Sequence, residues 1–273
     1  MKIIQITPAK DIKQYVHKIT VFKTADKIIY TQKLTPSPFV CISYNHYHIP
    51  DFKVDNKVIS PENNLQVTGP KTSDDIYALH YGRLSQVLIE LAPSSFYYLF
   101  GQSPAGIVNQ TLAICKFIPG RRINELTDSL AENNNYRSHI RKLTNFLVEL
   151  KYRTLHPIDY IEKAIDLIDK SSGNISVHSV CEQINKSKRQ FNRKFSEIIG
   201  IPPIQYIKIR QLHFIINLIH LKQYKSIKEI AYDTGFYDPA HFSNSFKKLT
   251  GMTPGDFITS DGHIALNYFS ELI

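Results

Sequence analysis

Side chains that can read base edges or hold phosphates are concentrated in two short stretches of this chain. Arg189, Asn192 and Arg193 lie close together in the first stretch, and Lys247 and Lys248 lie in the second. Arginine can pair with O6 and N7 of guanine, asparagine can pair with N6 and N7 of adenine, and lysine can hold phosphate as a point charge. These residue types therefore point to binding of a nucleic acid.

The elements that would position these side chains occur twice. Residues 176–184 are similar to residues 226–234 at an offset of 50, and after one extra residue the similarity continues at an offset of 51. The pairs at the second offset are Ser187 with Asp238, Phe191 with Phe242, Phe195 with Phe246, Gly200 with Gly251, Pro203 with Pro254, and Tyr206 with Phe257. Such self-similarity indicates two copies of one structural unit.

Each copy predicts a short helix, a turn and a second helix. In the second copy, Ser226 opens a capping box, Gly235 suits a left-handed helix end, and Asp238 caps the next helix. Phenylalanines four residues apart place one face of each second helix in the interior. Two short helices with a tight turn and a basic outer face are typical of a helix-turn-helix unit. We expect these units at about 176–200 and 226–251.

The segment between the two units carries a dense apolar pattern that predicts one helix. It runs from about Pro203 to Leu221, or about 18 residues. At about 1.5 Å per residue this helix would be roughly 27 Å long. Since one turn of DNA measures about 34 Å, the two units could reach successive segments of the major groove on one face of a duplex.

The spacing of these residues resembles the DNA-binding domain of AraC/XylS transcriptional regulators over about 100 residues. The residues that carry the resemblance are Ser187-x-Arg189-x-Phe191-x-Arg193-x-Phe195, Gly200-x-Pro202-Pro203-x-x-Tyr206, and Ile227-x-Glu229-Ile230-Ala231-x-x-x-Gly235-Phe236-x-Asp238-x-x-His241-Phe242-x-x-x-Phe246-Lys247-Lys248-x-x-Gly251-x-Thr253-Pro254. The resemblance implies a seven-helix, double helix-turn-helix domain. It also implies a sequence-specific transcription regulator, with an activator expected, whose partners are double-stranded promoter DNA and RNA polymerase.

The resemblance also assigns roles to individual side chains. The residues expected to read bases are Arg189, Asn192, Arg193, Pro239, Ala240, His241 and Asn244. The residues expected to contact phosphate are Ser187, Lys188, Lys194, Lys208, Arg210, Ser243, Lys247 and Lys248. Three positions depart from the family pattern: Pro239 replaces a polar residue, Asn244 replaces Arg or Lys, and Gln211 replaces Arg. The first two departures shorten the reach of the second recognition helix, so its share of base reading is left open.

The first half of the chain predicts a different fold. Short β-branched and aromatic runs, separated by Pro, Gly, Asn and Asp, predict strands at 19–22, 28–31, 39–44, 65–68 and 86–91. We therefore expect an α+β protein, with a β-rich, barrel-like (cupin-like) N-terminal domain at residues 1–156 and an all-α domain at residues 157–273. Flanking helices are expected at 94–100 and from Tyr136 to about Arg153, and Pro157 marks the domain boundary before a helix from Ile158 to Asp169.

The N-terminal domain is expected to bind a small-molecule effector or to mediate formation of a homodimer. Residues 69–72 and 87–93 weakly resemble a sensor-like domain common in this family. Binding of another protein instead of a small molecule stays an alternative. Six tyrosines could line an aromatic pocket, although core packing is the favoured interpretation: Tyr44, Tyr47, Tyr77, Tyr81, Tyr97 and Tyr98.

An enzyme is the rival hypothesis, in the form of a metal-dependent cupin dioxygenase or isomerase fused to a DNA-binding domain. His46-x-His48-x-x-Asp51 would place two histidines on one strand face, with His80 as the candidate for a further ligand. The chain contains no GxSxG, Walker-type, GxGxxG or HExxH motif. We therefore expect no catalytic residues, no metal and no cofactor.

Composition and charge agree with a folded protein that binds a polyanion. The chain has 273 residues, 42% of them hydrophobic, and a net charge of +9. Residues 174–258 hold 12 Lys and Arg against 6 Asp and Glu, so the positive charge is concentrated near the C-terminus. The three cysteines are far apart, and no apolar run is long enough for a membrane helix or a signal peptide. We expect a cytoplasmic protein without a membrane partner.

Overall fold

The architecture is that of a computed structural model, which describes residues 1–54, 57–73, 75–118, 120–151 and 158–259. Strands occupy the first part of the chain and helices the rest, so the predicted α+β class is confirmed. The predicted boundary at Pro157 and the end of the C-terminal domain after residue 259 lie outside the described residues.

The N-terminal domain contains two antiparallel sheets. The strands are β1 (Lys2–Ile6), β2 (Val16–Lys23), β3 (Ile28–Leu34), β4 (Cys41–Asn45), β5 (Asp51–Val54), β6 (Lys57–Ile59), β7 (Leu65–Thr68), β8 (Ile76–Gly82), β9 (Ser85–Leu91) and β10 (Thr111–Ala113). The first sheet has the order β1-β2-β9-β4-β7-β10 and the second has the order β3-β8-β5-β6. The β-rich domain is confirmed, and its barrel-like form consists of two sheets that do not close into one ring.

Three helices flank the sheets: α1 (Ser95–Phe100), α2 (Gly120–Ala131) and α3 (Tyr136–Lys151). Helix α3 packs Leu143, Phe146, Leu147 and Leu150 against the inner residues of the first sheet, which gives the domain one continuous core. The predictions of α1 and α3 are confirmed. Helix α2 and the strands β1, β5, β6, β8 and β10 were not expected from the sequence.

The described part of the C-terminal domain has seven helices. They are α4 (Asp159–Lys170), α5 (Val177–Ile184), α6 (Lys188–Ile199), α7 (Pro203–His220), α8 (Ile227–Asp233), α9 (Pro239–Thr250) and α10 (Pro254–Thr259). Helices α5 and α6 form the first helix-turn-helix unit, and α8 and α9 form the second. Both predicted units and the predicted 18-residue connecting helix are confirmed.

Each unit has its own hydrophobic core, and α7 contributes to both. Tyr206, Ile207 and Ile209 in its first half pack with the buried phenylalanines of α6. The second half packs with the buried phenylalanines of α9 and presents Leu212, Ile215, Ile216 and Ile219. The distance between the units is thereby set by the length of α7.

We expect Gly173→Ala to destabilise the C-terminal domain strongly. Gly173 follows α4 with φ +75°, and a Cβ atom there would lie 2.5 Å from the backbone nitrogen of Gln211 on α7. The left-handed conformation and the steric overlap together should lower the free energy of unfolding by about 3 kcal/mol or more. Urea denaturation followed by circular dichroism measures the loss.

Gly101→Ala is the matched control for this prediction. Gly101 also has a positive φ, +66°, but a Cβ atom there would meet nothing within 4 Å. The control should lose only the conformational term, about 1 kcal/mol. Equal losses in the two variants would contradict the close approach of the chain after α4 to α7.

Candidate nucleic-acid interface

Helix α6 of the first unit presents a basic face to solvent. Ser187 caps the helix, its hydroxyl accepting a hydrogen bond from the N–H of Gln190 at 3.3 Å. Phe191 and Phe195 are fully buried. Since these residues lie on one side, the opposite side is exposed, and it carries three of the predicted contact residues: Lys188, Arg189 and Arg193. Asn192 lies beside them and is half-buried.

Helix α9 of the second unit has the same construction but different side chains. The Asp238 carboxylate accepts hydrogen bonds from the N–H groups of Ala240 and His241, both at 3.1 Å. Pro239 and Ser243 are half-buried, whereas the other predicted contacts are exposed: Ala240, His241, Asn244, Lys247 and Lys248. The His241 ring lies 5.4 Å from the ring of Phe236, so it also packs against its own unit. In this helix the positive charge is confined to the last turn.

Two predicted phosphate contacts are engaged elsewhere in the molecule. The Lys194 ammonium forms an ion pair with Glu197 at 2.8 Å and lies over the ring of Tyr97 from the N-terminal domain. Arg210 pairs with Asp169 at 2.8 Å and stacks on Phe39. Both side chains therefore contact the N-terminal domain, and their role as phosphate contacts stays a prediction. Lys208 on α7 is exposed.

The N-terminal domain contacts the first unit through α1. The Tyr97 hydroxyl donates to the Glu197 carboxylate at 2.8 Å, and the hydrogen bonds from Lys194 and Tyr97 lower the pKa of Glu197. The Tyr98 ring is part of the hydrophobic core of the first unit, and its hydroxyl accepts a hydrogen bond from the N–H of Ile158. The first unit is thus packed directly against the N-terminal domain.

The N-terminal domain contacts the other end of the C-terminal domain through β3 and the segment that follows it. Lys33 donates to the carbonyl of Thr250 at the end of α9, at 2.7 Å. His213 on α7 is buried, and its Nε2 donates to the carbonyl of Pro36 at 2.8 Å. Both helix-turn-helix units are therefore tied to the same N-terminal domain.

A cavity of about 100 Å³ lies between the two sheets and reaches α7. Its apolar lining includes Phe22, Leu34, Pro50, Phe52, Ala78 and Leu88. Its polar lining includes Gln32, Ser43, Lys71, His80, Gln86, Glu90 and, from the C-terminal domain, His213. This mixture of apolar walls and a few polar groups is typical of a small-molecule site.

The six tyrosines divide between different places. Tyr44 and Tyr98 are buried in hydrophobic cores, whereas Tyr47 and Tyr81 are about half exposed. None of the six tyrosines lines the cavity described above. The alternative of an aromatic tyrosine pocket is therefore wrong for this cavity, whereas the favoured interpretation, core packing, is confirmed for Tyr44 and Tyr98.

The histidines of the metal hypothesis do not converge. Strand β4 ends at Asn45, so His46 and His48 lie beyond it rather than on one strand face, and that prediction is wrong. The His46 ring stacks on His139, and Nε2 of His48 accepts the N–H of Tyr81. Across the described ranges, no three His, Cys, Asp or Glu side chains are grouped so that they could hold a metal ion. No described helix is long and apolar enough to cross a membrane.

The C-terminal domain contains two pairs of capped helices that have exposed polar faces and are joined by one shared helix. This arrangement places the domain in the helix-turn-helix class. The model of a family described as "Helix-turn-helix domain" matches residues 180–260. The C-terminal region is therefore an AraC-type helix-turn-helix domain, as its motif predicts.

Several transcriptional regulators are similar to parts of the chain. HTH-type transcriptional regulator GlxA of Rhizobium meliloti is 39% identical over 79 residues, which cover 28% of this chain and 23% of GlxA. Transcriptional regulatory protein HptR of Staphylococcus aureus is 25% identical over 143 residues, which cover 51% of this chain and 54% of HptR. The chain thus spans about half or less of the length of these relatives.

The solved structures that match this chain include ToxT from Vibrio cholerae. The apo K231A form of ToxT is 14% identical, with 88% of this chain and 96% of that chain covered and a TM-score of 0.48. The AraC-like transcriptional activator CuxR is 13% identical, with 77% and 84% covered and a TM-score of 0.27.

Sequence reasoning missed the residues that join the two domains. Tyr97, Lys33 and His213 lie at least 100 positions from their partners, and no local pattern distinguishes such contacts. Lys186 and Tyr237, which directly precede the two recognition-helix caps, are exposed and were not singled out from the sequence. The repeat itself could have pointed to this pair, because the offset of 51 relates them.

We expect the stability of the N-terminal domain to fall as the pH drops from about 7 to about 5. Burial lowers the pKa of His80 from 6.5 to about 4, with a further contribution from His48. Below pH 6.5 the unfolded chain binds a proton that the folded chain does not, so folding loses about 2 kcal/mol over this interval. His80→Gln should remove this part of the pH dependence in urea denaturation.

The control for this prediction is His178→Gln, which removes an exposed imidazole on α5. This variant should keep the pH dependence of the unmodified protein. A His80→Gln variant with an unchanged slope between pH 7 and pH 5 would contradict the assignment to the buried imidazole.

Proposed function

We propose that this protein is a sequence-specific DNA-binding transcription regulator. The observation that carries the proposal is the pair of equivalent, capped recognition helices joined by α7, with exposed basic side chains on α6. Similar proteins named as transcriptional regulators support it. In such a regulator the second helix of each unit enters the major groove.

The two units would contribute unequally to the reading of bases. Arg189, Asn192 and Arg193 on α6 are the base readers, because their side chains have the reach and the donor groups to pair with guanine and adenine. On α9 the two arginines of α6 are replaced by Ala240 and Asn244, and the exposed His241 packs against Phe236. We therefore assign most base reading to the first unit. The phosphate contacts would come from Lys188, Lys208, Lys247 and Lys248, and from the cap region of Ser187.

The N-terminal domain would act as the sensor of a small-molecule effector or as a dimerisation domain. The cavity between its sheets supports sensing, since it touches His213 on the helix that joins the two DNA-binding units. The protein would act as an activator through contact with RNA polymerase. It would do so in the cytoplasm, where the promoter DNA lies.

Replacing a base reader and a phosphate contact should have different effects on DNA binding. Arg193→Ala should cost roughly 1 to 3 kcal/mol on a selected site and relax the base preference, because a bidentate pair with guanine is lost. Lys247→Ala should weaken binding to all sequences similarly and lower the salt slope by about one, since it loses one phosphate contact. Fluorescence anisotropy over a salt series measures both effects.

The sites for this measurement come from selecting bound sequences out of random duplex DNA with the full-length protein at fixed, near-physiological salt. Two contact blocks about one turn apart would support reading by both units, and one block would assign base reading to α6 alone. Equal losses for Arg193→Ala on selected and random DNA would remove Arg193 from the base readers.

An effector that occupies the cavity should stabilise the unmodified protein and not a variant with the cavity filled. Ala78 is buried on β8 and lines the cavity, so Ala78→Leu should occupy part of its volume. At a concentration of about 100 times its Kd, a ligand adds about 2.7 kcal/mol to the stability. Thermal unfolding with a compound library tests this, and a compound that stabilises both forms equally binds elsewhere.

A further inference from the structure

Tyr237 is the most exposed large hydrophobic side chain of the described residues, with 96% of its surface open to solvent. It lies between Phe236, which packs on the core of the second unit, and Asp238, which caps α9. Burial of this aromatic ring would be favourable, so its exposure beside a recognition helix is consistent with a contact that forms only in a complex.

The backbone on both sides of Tyr237 is fixed. Gly235 has φ +82°, the N–H of Phe236 donates to the carbonyl of Ala231 at 2.9 Å, and the ring of Phe236 lies 5.3 Å from the ring of Phe242. On the other side, the carboxylate of Asp238 accepts two backbone hydrogen bonds of α9. The outward direction of Tyr237 is therefore determined by its neighbours.

Tyr237 does not have the structural role that its position usually has. An apolar residue directly before a helix cap often packs against the fourth residue of the helix, which here is Phe242. Phe242 is fully buried and is already covered by Phe236. The Tyr237 side chain thus contributes little to the packing of the second unit.

The repeat places Tyr237 opposite a basic residue of the first unit. Lys186 directly precedes the cap Ser187, as Tyr237 directly precedes the cap Asp238, at the offset of 51 that relates the two recognition helices. Lys186 is exposed, and its ammonium lies 5.2 Å from the centre of the Tyr160 ring. Both units thus carry a long side chain with a hydrogen-bond donor at the same place.

The second unit has few other donors of that length near its cap. The residues of α9 at the positions of Arg189 and Arg193 are Ala240 and Asn244, and the cap itself is the anionic Asp238 instead of Ser187. A carboxylate at this end repels phosphate, so a cation or a neutral donor must reach past it. The phenolic hydroxyl at the end of the Tyr237 ring is such a neutral donor.

We propose that Tyr237 is a DNA backbone contact of the second helix-turn-helix unit, with its hydroxyl donating a hydrogen bond to a phosphate oxygen beside the start of α9. The equivalent contact in the first unit is made by Lys186. The contact positions the second unit on the duplex without reading sequence. This inference rests on the proposed function, because it presupposes that the protein binds DNA.

The test compares Tyr237→Phe and Tyr237→Ala in the full-length protein. The probes are a random duplex of about 30 base pairs, or three turns, and a site selected by the unmodified protein. Loss of a hydrogen bond to a charged phosphate should raise Kd about tenfold in both variants and on both DNAs. The salt slope should not change, since a neutral tyrosine releases no counterion, whereas Lys186→Ala should lower it by about one.

Tyr81→Phe is the matched control, because Tyr81 is a half-exposed tyrosine on β8 in the N-terminal domain. It should leave Kd unchanged. If Tyr237→Phe binds like the unmodified protein, the hydroxyl contact is overturned, even where Tyr237→Ala is impaired. If the unmodified protein binds neither DNA, the proposed function fails as well, so the two failures are distinguishable.

Discussion

The burial of α7 in two hydrophobic cores is the constraint on which the C-terminal domain depends. The first half of this helix completes the core of the first unit with Tyr206 and Ile209, and its second half completes the core of the second unit with Leu212 and Ile216. Neither pair of short helices encloses a core without it. A single continuous helix therefore provides packing for both units and also fixes the distance between them.

The two units share a scaffold but differ in surface chemistry. The caps, the buried phenylalanines and the glycines after the recognition helices, with φ +89° at Gly200 and +74° at Gly251, are equivalent. In contrast, α6 exposes two arginines where α9 exposes Ala240 and Asn244. The interior of a repeated unit is constrained by packing, so one copy can lose its base-reading side chains while its fold is retained.

The sequence predicts the C-terminal domain well because its determinants are local. Caps such as Ser187 and Asp238, and phenylalanines four residues apart, act within one helix and are visible in the order of residues. The N-terminal domain was predicted less completely. Strand β8 pairs with β3 and β5 through contacts distant in sequence. Strand β1 pairs with the next strand, β2, but offers only a short apolar run. Similarly, the sequence does not reveal the contacts of Lys194 with Tyr97 and of Arg210 with Phe39, because only the folded chain brings these residues together.

The N-terminal domain touches the two units at separate points, with Tyr97 near the first and Lys33 at the end of the second. The N-terminal domain therefore connects the two units independently of α7. Bending or twisting of α7 would have to break one of these attachments. A regulator of the proposed kind binds two blocks of a promoter, one with each unit. The whole chain, rather than the helix-turn-helix domain alone, would then determine which spacings and helical phasings of these two blocks the protein can bind.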